Sequence, residues 1–261
     1  MLDNVLNVFI ANAPDEINRA KISAELERSI GIGVLGFHSY LQSRSIPFEG
    51  PLAKSINMQI FTNMKTKIDQ ANRELGAELG EAPDAKGYGV RFSHTMALAP
   101  TASSSIIMGN TSPSIEPARA NAYRQDTMSG SHLNKNKFLD RILKERLTKG
   151  DDYNEAWKSI ISNDGSAQHL ECLTEDEKEV FKTAMEIDQR WVIELAGDRA
   201  PLIDQGQSVN VFFRPDTHIK YLHTVHFNAW KKGVKALYYC RSDKLRKADK
   251  VSQLIERKII E

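Results

Sequence analysis

Apolar residues recur every three or four positions through residues 55–80, where Ile56, Ile60, Met64, Ile68, Ala71, Leu75 and Leu79 fall on one line. That spacing predicts an amphipathic helix, and Gly80 suits its end. A more charged helix is expected from Pro14, with Ile17, Ile22 and Leu26 as its apolar positions. Between them GIGVLGFHSYL, residues 31–41, is apolar and rich in small residues, and should be buried. Residues 81–89 read as a loop from their Pro and Gly content. VRFSHTMALAP reads as a strand that turns at Pro100, followed by an irregular polar run with a short helix at its start. Residues 135–147 and 153–161 predict two more helices. Thr174 and Glu177 have capping-box spacing. They open a helix whose apolar stripe is Val180, Phe181, Ala184, Ile187, Trp191 and Leu195, stopped by Gly197. SVNVFF, residues 208–213, is a buried strand by its β-branched and aromatic content. THIKYLHTVHFNAWKK is a helix ended by Gly233, and VKALYYC is the next strand. Strand, helix, strand over that distance is a right-handed crossover unit of a parallel sheet. The expected class is α/β with heavy helical content.

Composition narrows the functional classes. The chain has 261 residues, 41% apolar and 26% charged, which are ordinary globular values. That length suits one large domain or two ordinary ones. A net charge of +1 gives no global attraction for nucleic acid or an anionic membrane. No apolar run is long enough to span a bilayer, and the first residues show no basic leader. Neither a membrane nor a nucleic acid is therefore an expected partner. Two cysteines, Cys172 and Cys240, make no disulfide framework, so a reducing, cytoplasmic setting is the simplest reading.

Four stretches are candidates for chemistry. Gly31-Ile-Gly33-Val-Leu-Gly36 matches the dinucleotide fingerprint, but a charged helix precedes it where a buried strand belongs. Close packing of backbone on a neighbouring element explains those glycines better. His218, His223 and His226 put only two imidazoles on one helix face, too few for a metal centre, and no metal is expected. Thr101, Ala102, Ser103 and Ser104 follow a strand and start a helix, so hydroxyls stand beside unpaired N–H groups. That arrangement makes a neutral cradle for a phosphate. It also describes an over-supplied helix cap, and composition alone leaves both readings open. Tyr238 and Tyr239 sit next to each other on an expected strand, where successive side chains point to opposite faces. By itself such a pair reads as two good strand formers.

Taken together, the segments SIGIGVLGF, ALAPTASSSIIMGNTSPSIEP with RANAYRQDTMSG, DRAPLIDQGQSVNVFF and HTVHFNAWKKGVKALYYCRS resemble the large (α) subunit of class I ribonucleotide reductase. They run in family order along nearly the whole chain and match its C-terminal part; TSPSIEP looks most like bacterial or phage members. The resemblance implies a single domain over residues 1–261, the C-terminal half of a ten-stranded α/β barrel with many surrounding helices. It implies reduction of ribonucleoside diphosphates by a radical relayed from a separate small subunit to a cysteine of the large one. On that basis Thr101, Ala102, Ser103 and Ser104 match the loop that holds the substrate phosphates. Tyr238 and Tyr239 match the tyrosine pair of the radical relay, the first nearer the thiyl cysteine and the second nearer the small subunit. Asn110, Ser114, Ile115, Glu116 and Pro117 match a supporting turn.

The departures matter equally. The family's Asn-x-Cys-x-Glu loop is absent, as are the reducing cysteine pair and the nucleotide-binding N-terminal part. We therefore expect a piece of a large subunit, from a split gene or a truncation, that is inactive alone. Its expected partners are a complementary N-terminal large-subunit chain, the small radical-generating subunit and a ribonucleoside diphosphate. Thioredoxin or glutaredoxin would act only through a cysteine-bearing tail not seen here, although residues 241–261 would start such a tail. No cofactor is expected on this chain, the radical cofactor belonging to the small subunit. A half-barrel leaves unpaired strand edges, which are costly. The alternatives are a non-catalytic binding or scaffold module of the same fold, and a nucleotide-dependent oxidoreductase using GIGVLG. One phenol of the pair should face the barrel interior and the other a partner, unless the strand frays there and the rings stack.

Overall fold

A computed structural model describes residues 1–127, 130–147 and 150–242 of the chain. In chain order it contains α1 (Leu2–Asn12), α2 (Asn18–Glu27), α3 (Phe37–Ser43), α4 (Pro51–Leu79) and α5 (Ala102–Ile107). The hairpin β1 (Ala122–Thr127) and β2 (Gly130–Lys135) follows, then α6 (Lys137–Arg146), α7 (Gly150–Ser162), α8 (Glu175–Val180) and α9 (Gln189–Arg199). The described chain closes with β3 (Val211–Phe213), α10 (Ile219–Lys231) and β4 (Cys240–Ser242).

Four parallel segments form the frame. Ile32 pairs with Met96 and Leu98 with Gln207, both in parallel register, and β3 runs parallel to β4 with Val211 opposite Cys240. The spatial order is therefore 30–32, 94–98, 205–213 and 238–242. α3 and α4 connect the first segment to the second, and α10 connects the third to the fourth, so this is part of an α/β barrel with helices on its outside. Its core is apolar: Phe37, Leu41, Phe61, Met96, Ile193, Val211 and Val225 are all buried in one cluster. α4 lays Ile56, Ile60, Met64 and Ile68 against that cluster, as its periodicity predicted. A second cluster, around Leu139, Leu143, Trp157, Ile160 and Phe181, lies under the hairpin and α6 to α8.

The first two helices are fastened by charge. Asp3 receives Arg28 at 2.5 Å and Arg91 at 2.9 Å, with all three side chains largely shielded from water. Burial works to raise the Asp3 pKa, but the bonds from Arg91 and Arg28 outweigh it and hold the carboxyl below its ordinary value.

Several expectations need correction. Residues 174–197 are not one helix. The Thr174–Glu177 capping box forms, but α8 stops at Val180, and Asp188 caps a new helix, α9. The reason is that Val180 and Phe181 belong to the second cluster whereas Ile187, Ile193 and Leu195 belong to the first. One apparent stripe was two short faces aimed at different cores. Of GIGVLGFHSYL only Gly36, Phe37, His38 and Leu41 are buried, while Gly31 and Gly33, beside an end segment of the four, and Tyr40 are exposed. VRFSHTMALAP is regular only where Met96 and Leu98 are bridged. VKALYYC does not form a strand along its length; β4 begins at Cys240. Residues 243–261, most of the expected tail, lie outside the described residues.

Candidate functional site

The second parallel segment delivers the chain to Pro100, at the end of the strand where sites of α/β folds gather. Thr101 occupies the N-cap position of α5, but its hydroxyl oxygen accepts from Ser114 N at 2.8 Å rather than capping the helix. Ala102 N donates to Pro100 O at 3.0 Å. Ser105 is buried and donates to Ala102 O at 2.8 Å. Ser103 and Ser104 differ: both are exposed, and their hydroxyls make no hydrogen bond among the described residues. Their N–H groups are among the first-turn donors that lack an intrahelical acceptor. The four predicted residues thus stand together, two fixed and two presenting free donors.

The turn behind them is locked from several directions. Gly109, Asn110 and Ser114 have φ of 84, 50 and 45°, all left-handed. Such conformations are unfavourable for Ser, so surrounding bonds must hold them. Ser112 O accepts from Gly36 N and Ser114 O from Phe37 N, which ties the turn to the start of α3. Ser39 and Ser112 exchange backbone-to-hydroxyl bonds at 3.0 and 2.8 Å. Gly36 itself has φ 81°, and a Cβ there would meet the Thr111 hydroxyl at 2.6 Å. His38, fully buried in α3, accepts from Ala118 N at 2.8 Å through Nδ1. Burial lowers its pKa to about 4, so the ring is neutral at pH 7.

The tyrosine pair precedes β4 instead of lying on it. Tyr238 N donates to Val209 O at 2.8 Å, and Tyr239 O accepts from Val211 N at 2.9 Å. Freed from strict alternation, the rings come together with centroids 4.2 Å apart and planes tilted by 57°. This corrects the expectation of opposed directions: the fraying alternative is the one found. Arg241 lies over the second ring, its Cζ 4.9 Å from the Tyr239 centroid. The neighbouring Tyr239 phenol raises the Tyr238 pKa, so Tyr238 keeps its proton at neutral pH. Both rings are about half exposed, at 52 and 50%.

A polar connection joins this pair to the turn. Glu116, buried, accepts from Asn210 Nδ2 at 2.6 Å, and Asn210 Oδ1 accepts from Tyr239 N at 3.0 Å. Burial raises the Glu116 pKa, with the Asn210 bond and the Arg241 and Arg119 charges pulling the other way. Asn210 escaped the sequence reading because it sits in the apolar run that leads into β3; a polar residue at that position was the available signal. Asp204 escaped it too. Its carboxylate takes Thr95 N and Thr95 Oγ1, both at 2.8 Å, and Met96 N at 2.9 Å, fixing the segment that leads to the cradle.

The remaining candidates have structural placements. A Cβ on Gly33 would meet Ala97 O at 2.4 Å, so the glycine permits the close strand contact. His218 caps α10, while His223 stacks on Phe227 and His226 on Phe213. Among the described residues no group of three or more His, Cys, Asp and Glu side chains is placed to hold a metal. None of their helices is long and apolar enough to cross a membrane. A cleft of about 980 Å³ opens between the hairpin and the barrel segments, lined in part by Ala102, Ser105, Asn110, Tyr123 and Arg214.

The family model described as ribonucleotide reductase, barrel domain, matches residues 1–86 and 82–240. The ribonucleoside-diphosphate reductase large subunit of Invertebrate iridescent virus 6 is 59% identical over 97% of this chain and 26% of its own length. Its counterpart in Invertebrate iridescent virus 3 is 53% identical over 96% of this chain and 40% of its own length. The class Id ribonucleotide reductase alpha subunit of Actinobacillus ureae superposes with a TM-score of 0.84 at 43% identity, covering 93% of this chain and 44% of that one. The chain thus spans under half the length of each of these relatives.

Proposed function

Because this chain belongs to the ribonucleotide reductase barrel family, we propose that it supplies two working parts of ribonucleoside diphosphate reduction. The first is a phosphate cradle at Thr101, Ala102, Ser103 and Ser104. The exposed Ser103 and Ser104 hydroxyls, beside first-turn N–H groups, support it: they offer neutral donors to a diphosphate without a competing partner. The second is the Tyr238–Tyr239 relay, and the 4.2 Å ring contact is the observation that carries this reading. Once Tyr239 is oxidised by the small subunit, its phenoxyl takes one hydrogen atom, an electron with a proton, from the Tyr238 hydroxyl. Tyr238 in turn takes one from a cysteine thiol, leaving the thiyl radical that attacks the ribose. Neither Cys172 nor Cys240 stands in an Asn-x-Cys-x-Glu context, so that thiol belongs to a complementary portion of the large subunit. The partners are that portion, the small radical-generating subunit that holds the radical cofactor, and the ribonucleoside diphosphate.

The test uses the assembled reductase. Tyr239→Phe keeps the ring and deletes only the hydroxyl, and nearly all turnover should vanish with the fold intact. Ser103→Ala combined with Ser104→Ala should weaken substrate binding by about 2–4 kcal/mol through two lost charge-assisted bonds. Wild-type turnover in the first variant would dismiss the relay; unchanged substrate affinity in the second would dismiss the cradle.

A further inference from the structure

The second tyrosine is held by a side chain of the segment that leads into β3. Backbone partners account for Tyr238 N and Tyr239 O, at Val209 and Val211. Tyr239 N depends instead on a side chain, Asn210 Oδ1, at 3.0 Å. Asn210 is 2% exposed, and an amide free to flip would present N–H groups to that donor. What fixes its orientation is Glu116 Oε1, which takes Asn210 Nδ2 at 2.6 Å. An acceptor at this place forces the amide nitrogen toward it and the amide oxygen toward Tyr239. Glu116 is itself buried, 7% exposed, in the turn that is bonded to the start of α3.

We propose that Glu116 is a positioning residue for Tyr239, acting through Asn210 as a brace that sets where the second phenol sits. The proposal rests on reading the tyrosine pair as a relay. What passes along the brace is reach and hydrogen-bond direction, so the charge of Glu116 is incidental to it. Removing the reach lets the Asn210 amide turn, frees Tyr239 N and loosens the contact between the rings. Small displacements of reacting groups are expensive in rate.

Two conservative substitutions separate reach from charge in the assembled reductase. Glu116→Gln keeps the length and an acceptor oxygen; Glu116→Asp keeps the charge but falls one methylene short. Amide hydrogen exchange at Tyr239 is followed alongside kcat and KM for the ribonucleoside diphosphate. Glu116→Asp should speed Tyr239 exchange and lower kcat by about tenfold or more, with KM within about twofold of wild type. Glu116→Gln should match wild type in all three. The proposal is overturned if Gln is impaired, if Asp leaves Tyr239 exchange or kcat unchanged, or if Asp raises KM as much as it lowers kcat. The last result would assign Glu116 to the neighbouring cradle. Tyr239→Phe, run in parallel, keeps the readings apart: were it fully active, the relay would fall, and exchange at Tyr239 would still decide whether the brace exists. Should Glu116→Asp not fold, the Gln variant alone retains the power to refute.

Discussion

Asp204→Asn is nearly isosteric and removes a single charge, yet it should destabilise the chain substantially. The carboxylate accepts three bonds: Thr95 N and Thr95 Oγ1 on Oδ2, and Met96 N on Oδ1. An asparagine has one acceptor oxygen. If that oxygen serves Thr95, the new NH₂ faces Met96 N–H, donor against donor, beside a fully buried side chain. An unsatisfied buried N–H costs about 1–3 kcal/mol, and the two surviving bonds lose their charge assistance. The total is about 2–4 kcal/mol. Urea unfolding measures it directly; at a slope of about 2 kcal/mol per M, the midpoint should fall by about 1–2 M with the slope unchanged. Acid supplies an independent check. Burial works to raise the Asp204 pKa, but the bonds from Met96 and Thr95 prevail and lower it below 3.8. A group with a lowered folded pKa contributes its stability above the unfolded value and loses it as pH falls through the folded one. The gap between wild type and variant should therefore be constant near neutrality and shrink below about pH 4. An unchanged midpoint, or a gap that persists undiminished in acid, would refute the reasoning.

Two further outcomes are expected. His38 has a pKa lowered to about 4 by burial, so between about pH 6.5 and 4 the unfolded chain takes up a proton that the folded chain refuses. Stability should drop by about 3 kcal/mol across that window, and His38→Gln should flatten the profile; a parallel profile would mean that the ring titrates freely. Gly33→Ala places a methyl carbon 2.4 Å from Ala97 O, which should cost about 1–3 kcal/mol by pushing the outer segment away; a thermal midpoint within error of wild type would show that the strand contact is looser than described.

Elements with one continuous face were legible in the sequence. α4, β3 and α10 answer to a single periodic stripe or a short apolar run, and each was placed by that alone, whereas the strand expected over 234–240 begins only at Cys240. The stretch around α8 and α9 was not, because helical spacing carries no label saying which core a residue serves. The hairpin of β1 and β2 gave no apolar alternation, since Tyr123 and Leu133 are exposed. At the candidate site, composition left Ser103 and Ser104 open between a helix cap and a phosphate cradle and read Tyr238 and Tyr239 as strand formers; the resemblance to a family singled them out. What stayed invisible is what acts at long range: Asp204 with Thr95, and Glu116 with Asn210, meet only once the parallel segments are side by side.

That parallel frame also dictates an order of events as the chain is synthesised. Ile32 finds its partner Met96 early, but Leu98 must wait for Gln207, and Val211 for Cys240. Closing such long loops is slow, and every parallel contact here is non-local. During that interval the inner edge of the growing pair, on the segment that leads into the cradle, stays unsatisfied, and an unpaired edge in a nascent chain is an invitation to aggregate. The hairpin unit with its own apolar cluster lies wholly within the waiting interval. It can consolidate first, shortening the effective loop that Gln207 must close.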